Sequence, residues 1–295
     1  LSLNNKNILI CPATMIGSNI YNLSLKHENQ FVDVGINEEH AFLYASGLSL
    51  NGFRPIISVY STFLQRGYDE IIHDLSRNNL SATLLIDRAG LVGADGETHQ
   101  GIFDESLLYN MPNTVIATPS KASYIDSLLK LSFKTEGVFA IRYGKDKGDY
   151  IKETLDASLD TFDVLKESFS DIAILSIGPN SIELTDLIEN NNIDVSIYCP
   201  LFVKPFNNLL INKLATYKKV IIYDPTSIES GFALDLYYKL KQLNKDTKIK
   251  LILYLYVENK YTELLDSVNY QGKTHDYFKE SRILGEINYL KLHSN

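Results

Sequence analysis

Positive charge is scarce in this 295-residue chain: 28 Lys and Arg stand against 36 Asp and Glu, giving a formal charge of −8. Nucleic-acid surfaces need basic stripes to meet a phosphate backbone, so that class of partner is excluded, and each arginine has to be read individually. Long apolar runs are also missing. The longest, near Val220–Tyr223 and Leu251–Val257, are strand-sized, against the roughly 20 residues needed to cross a bilayer, so no membrane role is expected. Cysteine is limited to Cys11 and Cys199, too far apart for a metal or redox spacing. Each ends an apolar run and reads as a buried reduced thiol, which points to a reducing compartment. The start, Leu1-Ser2-Leu3-Asn4-Asn5, has neither an initiator Met nor a signal-peptide pattern, as expected of a fragment or a processed chain.

What remains is an ordinary globular composition, 45% hydrophobic and 22% charged, on a chain long enough for two domains with proper cores. Short apolar runs at Asn7–Ala13, Phe31–Gly35, Pro55–Tyr60, Thr83–Ile86, Val115–Ala117 and Val138–Ile141 read as buried parallel strands. Helices are expected between them, among them one that Asn37 caps and Gly52 stops, one over Thr62–Asn78 and one over Ser120–Phe133. In the first, Ala41, Leu43, Tyr44, Ala45, Leu48 and Leu50 are expected to form the apolar face. The tract Gly144–Ser170 is polar and reads as a connection. The rhythm restarts at Ile172, with strands at Ile172–Ile177, Val195–Tyr198, Val220–Tyr223 and Ile249–Val257 and helices at Ile182–Glu189, Asn207–Tyr217 and Phe232–Leu243. The expected architecture is therefore α/β, two doubly wound, mostly parallel-sheet domains over residues 1–148 and 171–295, joined by a linker over 149–170. From Glu258 onward the pattern weakens.

Almost every residue with chemical potential lies between Phe31 and Gly101. Ligands of open α/β sheets bind beyond the carboxyl ends of the strands, and Glu38, Arg88, Asp95 and His99 all follow such ends. Tyr60, Phe63 and Arg66 follow another. Three successive strands thus deliver acidic, aromatic and basic groups to one rim. Each also has an ordinary explanation: a first-turn glutamate complements a helix dipole, aromatics fill cores, and arginines are solvated. Arg88 and Arg142 end two strands, and a pair of guanidiniums there suits a phosphate. His40 and His73 sit on expected helices, and His73 reads as structural.

The blocks Asp33-Val34-Gly35-Ile36-Asn37-Glu38-Glu39-His40, Tyr60-Ser61-Thr62-Phe63-Leu64-Gln65-Arg66-Gly67-Tyr68-Asp69 and Asp87-Arg88-Ala89-Gly90-Leu91-Val92-Gly93-Ala94-Asp95-Gly96-Glu97-Thr98-His99-Gln100-Gly101 are long and ordered. Together they resemble 1-deoxy-D-xylulose-5-phosphate synthase, within the transketolase-like superfamily. The likeness covers Ile8 to about Tyr143 well and the rest more loosely, with Phe202-Val203-Lys204-Pro205 the clearest later patch. It implies a pyrimidine-binding domain followed by a carboxy-terminal domain. The family's first domain, which holds the diphosphate of thiamine diphosphate and its Mg2+ through a Gly-Asp-Gly motif, has no counterpart in these residues, so the chain alone is expected to be catalytically incomplete. The resemblance implies that Glu38 hydrogen-bonds the aminopyrimidine ring, that Phe63 stacks on it, that Tyr60 makes a polar contact close to both cofactor and substrate, and that Arg66 lies near the cofactor as a secondary phosphate candidate. It further implies that Arg88 and Arg142 hold the phosphate of glyceraldehyde 3-phosphate, and that Asp95 and His99 contact that substrate and move protons. Glu39 stands where the family usually has Gln.

The implied reaction joins pyruvate, with loss of CO2, to glyceraldehyde 3-phosphate. Implied with it are a homodimer and a cytoplasmic bacterial setting, with a plastid-type organelle as the alternative. Two other readings fit the same residues. One is the β subunit of a two-chain 2-oxoacid dehydrogenase or split transketolase, and the other is an inactive remnant serving as an interaction module.

Overall fold

Short, mostly apolar strands that are buried along their length set the frame, because a strand that is apolar on both faces is stable only between two layers of helix. A computed structural model of the chain describes residues 1, 4–90, 92, 95, 97–145, 156–224 and 230–253. The expected end of the last strand at Val257, the tail from Glu258, and residues 146–155 of the connecting tract lie outside the described residues.

The first half runs β1 (Asn7–Cys11), α1 (Tyr21–Lys26), β2 (Phe31–Asp33), α2 (Glu38–Leu50), β3 (Arg54–Tyr60), α3 (Ser61–Leu64), α4 (Tyr68–Glu70) and β4 (Ala82–Asp87). It continues with α5 (Asp104–Tyr109), β5 (Thr114–Ala117), α6 (Ile125–Ser132) and β6 (Val138–Arg142). The second half adds β7 (Phe162–Lys166), β8 (Ile172–Ser176), α7 (Asn180–Asn190), β9 (Ser196–Pro200), β10 (Phe202–Lys204), α8 (Asn208–Leu214), β11 (Lys219–Asp224), α9 (Gly231–Leu243) and β12 (Lys248–Leu253). Two sheets result, in the orders β10-β5-β6-β4-β3-β1-β2 and β12-β11-β8-β9-β7. Apart from the edge strands β10 and β7, neighbours pair in parallel, so the fold is the expected α/β arrangement of two mostly parallel sheets. In the first sheet the chain leaves β1 for β2 on one side and returns to β3 on the other. That reversal opens a crevice at the carboxyl ends of β1 and β3.

Four details depart from the sequence reading. The strand β7 forms inside the tract expected to be a connection, antiparallel to β9. The three-residue β10 leaves the second half to pair antiparallel with β5, Phe202 against Ala117, so the first sheet is completed by a segment far along the chain. Instead of one regular helix over Thr62–Asn78, α3 passes through a 3-10 turn (Gln65–Gly67) into α4 and then a π-helical turn (Ile71–Ser76). The tight and wide turns offset each other in winding, and Leu64, Ile71 and Leu75 all remain fully buried. Finally, α2 buries Glu38, Ala41, Phe42, Ala45 and Ser46, while Leu43, Tyr44 and Leu50 are exposed. That helix is apolar nearly all round, so its periodicity does not select a face.

One core is shared by both halves, running from Ile57, Leu84 and Ala140 through Leu108 and Met111 to Val203, Leu210 and Phe232. Cys11 and Cys199 are both free and buried. No helix of the described residues is long and apolar enough to cross a membrane.

The turn at Gln65–Gly67 lies directly on α2: a Cβ on Gly67 would stand 2.1 Å from Phe42 Cδ2, and Phe42 is itself fully buried. Gly67→Ala is therefore expected to destabilise the fold by about 1–3 kcal/mol through overpacking, read as a lower denaturation midpoint with an unchanged slope.

Candidate functional site

Asn37 starts α2 by accepting a hydrogen bond from His40 N at 3.2 Å, which fixes the next residue, Glu38, in the first turn. Glu38 is only 2% exposed. An isolated carboxylate there would be costly, and Arg66 Nη1 lies 2.8 Å from Glu38 Oε2. The same guanidinium reaches Glu39 Oε2 at 3.9 Å. Glu38 Oε2 nevertheless has no partner in hydrogen-bond geometry among the described residues, so the atom keeps acceptor capacity. Arg66 sits three residues after Phe63, so this ion pair ties the buried glutamate to the segment that carries the aromatic.

Phe63 stacks on Tyr60, with centroids 5.4 Å apart and planes 15° apart, and meets His99 edge-on at 5.3 Å. The Arg88 guanidinium lies over Tyr60, with Cζ 3.7 Å from the ring centroid. A connected row from His99 through Phe63 and Tyr60 to Arg88 therefore lies along the rim. Close approach makes the row compact: a Cβ on Gly17 would fall 1.8 Å from the Tyr60 hydroxyl. Burial pushes the Tyr60 hydroxyl above its usual pKa, with Arg88 pulling the other way.

Arg88 sits at φ +60°, left-handed for a residue with a side chain, at a typical cost of about 1–3 kcal/mol. Its surroundings hold it there. Nε donates to Asp95 Oδ2 at 2.6 Å, Nη1 donates to Asp87 Oδ2 at 2.9 Å, and both Nη atoms reach Gly17 O at 3.4 Å. Asp95 also accepts from Lys145. Partial burial alone would raise the Asp95 pKa, but the hydrogen bonds from Lys145 and Arg88 hold it below the usual carboxylate range. Asp87 behaves in the opposite way, because desolvation outweighs Arg88 and raises it. Two cations thus face two carboxylates.

The loop that carries Asp95 and His99 is closed at its base. Gly90 and Gly101 exchange backbone hydrogen bonds of 2.6 and 2.7 Å, and the Gln100 side chain both accepts from Val92 N and donates to Val92 O. Thr62 Oγ1 donates to Thr98 O at 2.8 Å, and Thr98 Oγ1 lies 2.9 Å from His99 Nδ1.

The structure therefore brings Tyr60, Phe63, Arg88, Asp95 and His99 together, with Glu38 and Arg66 joined to the same segment. Arg142 ends β6 as expected, and it has a partner that the sequence did not suggest. It is 3% exposed, and its Nε and Nη2 donate to the two Asp104 oxygens at 2.6 and 3.0 Å. One edge of the planar fork is therefore matched to a carboxylate. His40 is exposed and His73 lies on the surface between Arg77 and Asp69, so neither joins the row. Sequence reasoning missed the carbonyl of Gly17, Asp87, Lys145 and Asp104 as partners. Asp87 was adjacent to Arg88 and legible in retrospect, whereas Lys145 stood in a charged tract read as a connection.

Comparison with known proteins follows the same lines. Residues 4–149 match the family described as transketolase, pyrimidine binding domain. A 1-deoxy-D-xylulose-5-phosphate synthase of Exiguobacterium sibiricum is 39% identical over 235 residues, 77% of this chain and 37% of that protein. One from Alkaliphilus oremlandii is 36% identical over 272 residues, 88% of this chain and 44% of its own length. The chain thus spans less than half the length of these curated relatives. Among solved structures, a split-gene transketolase described as an inactive β4 tetramer superposes with a TM-score of 0.76 at 19% identity, covering 92% of this chain and 90% of the other. A Campylobacter jejuni transketolase gives 0.66 at 15% identity, covering 81% of this chain and 42% of that one. These two likenesses bear on the fold.

Asp95, with its lowered pKa, contributes stability above the ordinary aspartate pKa, and that contribution is lost as pH falls through its lower folded value. Asp95→Asn is accordingly expected to cost about 1–3 kcal/mol at neutral pH. The gap from wild type should narrow only below about pH 4. Urea unfolding across that range measures it.

Proposed function

Because residues 4–149 belong to the transketolase pyrimidine-binding domain family, we propose that this chain supplies the pyrimidine-recognition and acceptor-binding part of a thiamine-diphosphate-dependent 1-deoxy-D-xylulose-5-phosphate synthase. The observation that carries the proposal is the Glu38–Arg66 pair, which sets a 98%-buried carboxylate with spare acceptor capacity against the turn bearing Phe63. These residues fit an aminopyrimidine: a flat ring needs an aromatic face, and a ring nitrogen needs a dry carboxyl partner. Bound thiamine diphosphate would supply a nucleophilic carbon that takes up the two-carbon unit of pyruvate.

Within the chain, the Glu38 carboxyl would hold or share a proton with the ring nitrogen, and Arg66 balances its charge. Phe63, backed by Tyr60, is the stacking platform. Arg88, in its charge-balanced cluster with Lys145, offers the phosphate of glyceraldehyde 3-phosphate a guanidinium when Asp95 yields its place. Asp95 and His99 then face the acceptor carbonyl and hydroxyl, His99 moving the proton through its ring nitrogens. Arg142, oriented by Asp104, is the second guanidinium for that phosphate. The diphosphate and Mg2+ belong, on this reading, to a further domain in the same or another polypeptide. The working division of the chain is 1–148, a linker over 149–170, and 171–295, with β7 inside the linker and β10 crossing back to the first sheet. A homodimer in a cytoplasmic setting completes the proposal.

A second reading, a separate β-type subunit, is favoured by the near end-to-end superposition on the split-gene transketolase. The acceptor separates the two. Combined with a diphosphate-binding domain, the chain is expected to consume pyruvate and glyceraldehyde 3-phosphate together, with a lipoyl protein inert as acceptor. Transfer to the lipoyl protein instead would establish the second reading. Glu38→Gln is expected to lower kcat by about 10²–10⁴ without lowering the melting temperature appreciably. Full turnover by that variant would remove Glu38 from the chemistry.

A further inference from the structure

The short helix α5 carries two adjacent carboxylates that point to different parts of the molecule. Asp104 and Glu105 are 1% and 0% exposed. Asp104 takes both donors of the Arg142 fork at the end of β6. Glu105 Oε1 accepts from Phe232 N at 3.0 Å, in the first turn of α9 in the second half. The first amides of a helix have no partner within it, and Ser230, which precedes α9, makes no side-chain cap. Glu105 therefore caps α9 from outside, bringing negative charge to its positive end.

Other contacts join the same surfaces. Tyr109 Oη donates to Asp235 at 2.5 Å, Ser230 Oγ to Ser106 Oγ at 2.5 Å, and Lys204 Nζ to Tyr109 O at 2.7 Å. Electrostatics gives the link its direction. Burial alone would lower the Arg142 pKa, yet Asp104, Glu105 and Asp224 at the end of β11 together raise it. A guanidinium on the first sheet is thus set partly by carboxylates whose positions depend on the second.

We propose that Glu105 is a positioning residue: by capping α9 from α5 it holds its neighbour Asp104, and through Asp104 the Arg142 guanidinium, in one orientation. Docking of the second half and the state of the first sheet's rim are then linked by a single peptide unit. The consequence for acceptor binding rests on the function proposed above; the positioning itself does not.

Nitrogen-edited NMR of the full chain tests it through exchange of two protons with water, the Phe232 amide and the Arg142 Nε–H. Glu105→Ala is expected to speed both by about tenfold or more, as for loss of one buried hydrogen bond. Glu105→Gln still presents an acceptor to Phe232 and is expected to keep both within about twofold of wild type. Tyr109→Phe breaks a different contact between the same helices and should leave the Arg142 proton within about twofold as well. If Glu105→Ala does not fold, Glu105→Asp, one methylene shorter, is scored by the same criterion. Faster exchange at Phe232 with Arg142 unchanged would overturn the proposal, and so would equal loosening of Arg142 by Tyr109→Phe. In the complete enzyme the same Glu105 variant should raise KM for the phosphorylated acceptor with pyruvate decarboxylation unchanged. Unchanged KM beside a loosened Arg142 would count against the acceptor reading and leave the positioning intact.

Discussion

The bonds that Arg88 makes to Asp87 and Asp95 are the constraint on which the rim of the first sheet depends. A guanidinium removed from water needs carboxylates at hydrogen-bond distance, and here one comes from the preceding residue and one from a loop seven residues on. Meeting both requires the left-handed backbone at Arg88, and that backbone turns the chain from β4 into the loop holding His99. Tyr60 fills the space over the guanidinium, and Phe63 fills the space beside Tyr60. The position of the aromatic platform thus follows from how a charge is neutralised, and the Gly17 carbonyl fixes the far side.

A similar logic operates at the other buried charges. Glu38, Asp104, Glu105 and Arg142 are all buried, and each is held by a partner from another element. Such pairs add little net stability against well-packed apolar residues, but they penalise any arrangement that separates them. They act as registers. The two sheets share one apolar core that would tolerate small sliding, whereas a carboxylate aimed at a helix terminus and a guanidinium in a bidentate fork would not.

Much of this was legible in the letters, and the exceptions have physical causes. The strands could be read because parallel strands buried on both faces are unbroken apolar runs, as Leu84-Leu85-Ile86 and Val220-Ile221-Ile222 show. The row of Tyr60, Phe63, Arg88, Asp95 and His99 could be read because Tyr60, Phe63 and Arg88 end or closely follow such runs, and Asp95 and His99 lie on the glycine-rich loop that leaves β4. The face of α2 could not, since Leu43 and Tyr44 are as apolar as the buried Ala41 and Phe42. Neither could α5 or β10: six residues opening with two acids, and three residues before a proline, carry no period to detect. The Asp104 partner of Arg142 lies 38 residues away, on that unforeseen helix, so the letters gave no sign of the ion pair.

The crossing of β10 onto β5 bears on how the chain is made. When a ribosome has delivered the first sheet's own strands, the outer hydrogen-bonding groups of β5 still face water, and they stay so until residue 204 has emerged and folded back. An unpaired strand border invites pairing with other chains, so the nascent protein passes through an interval of heightened self-association.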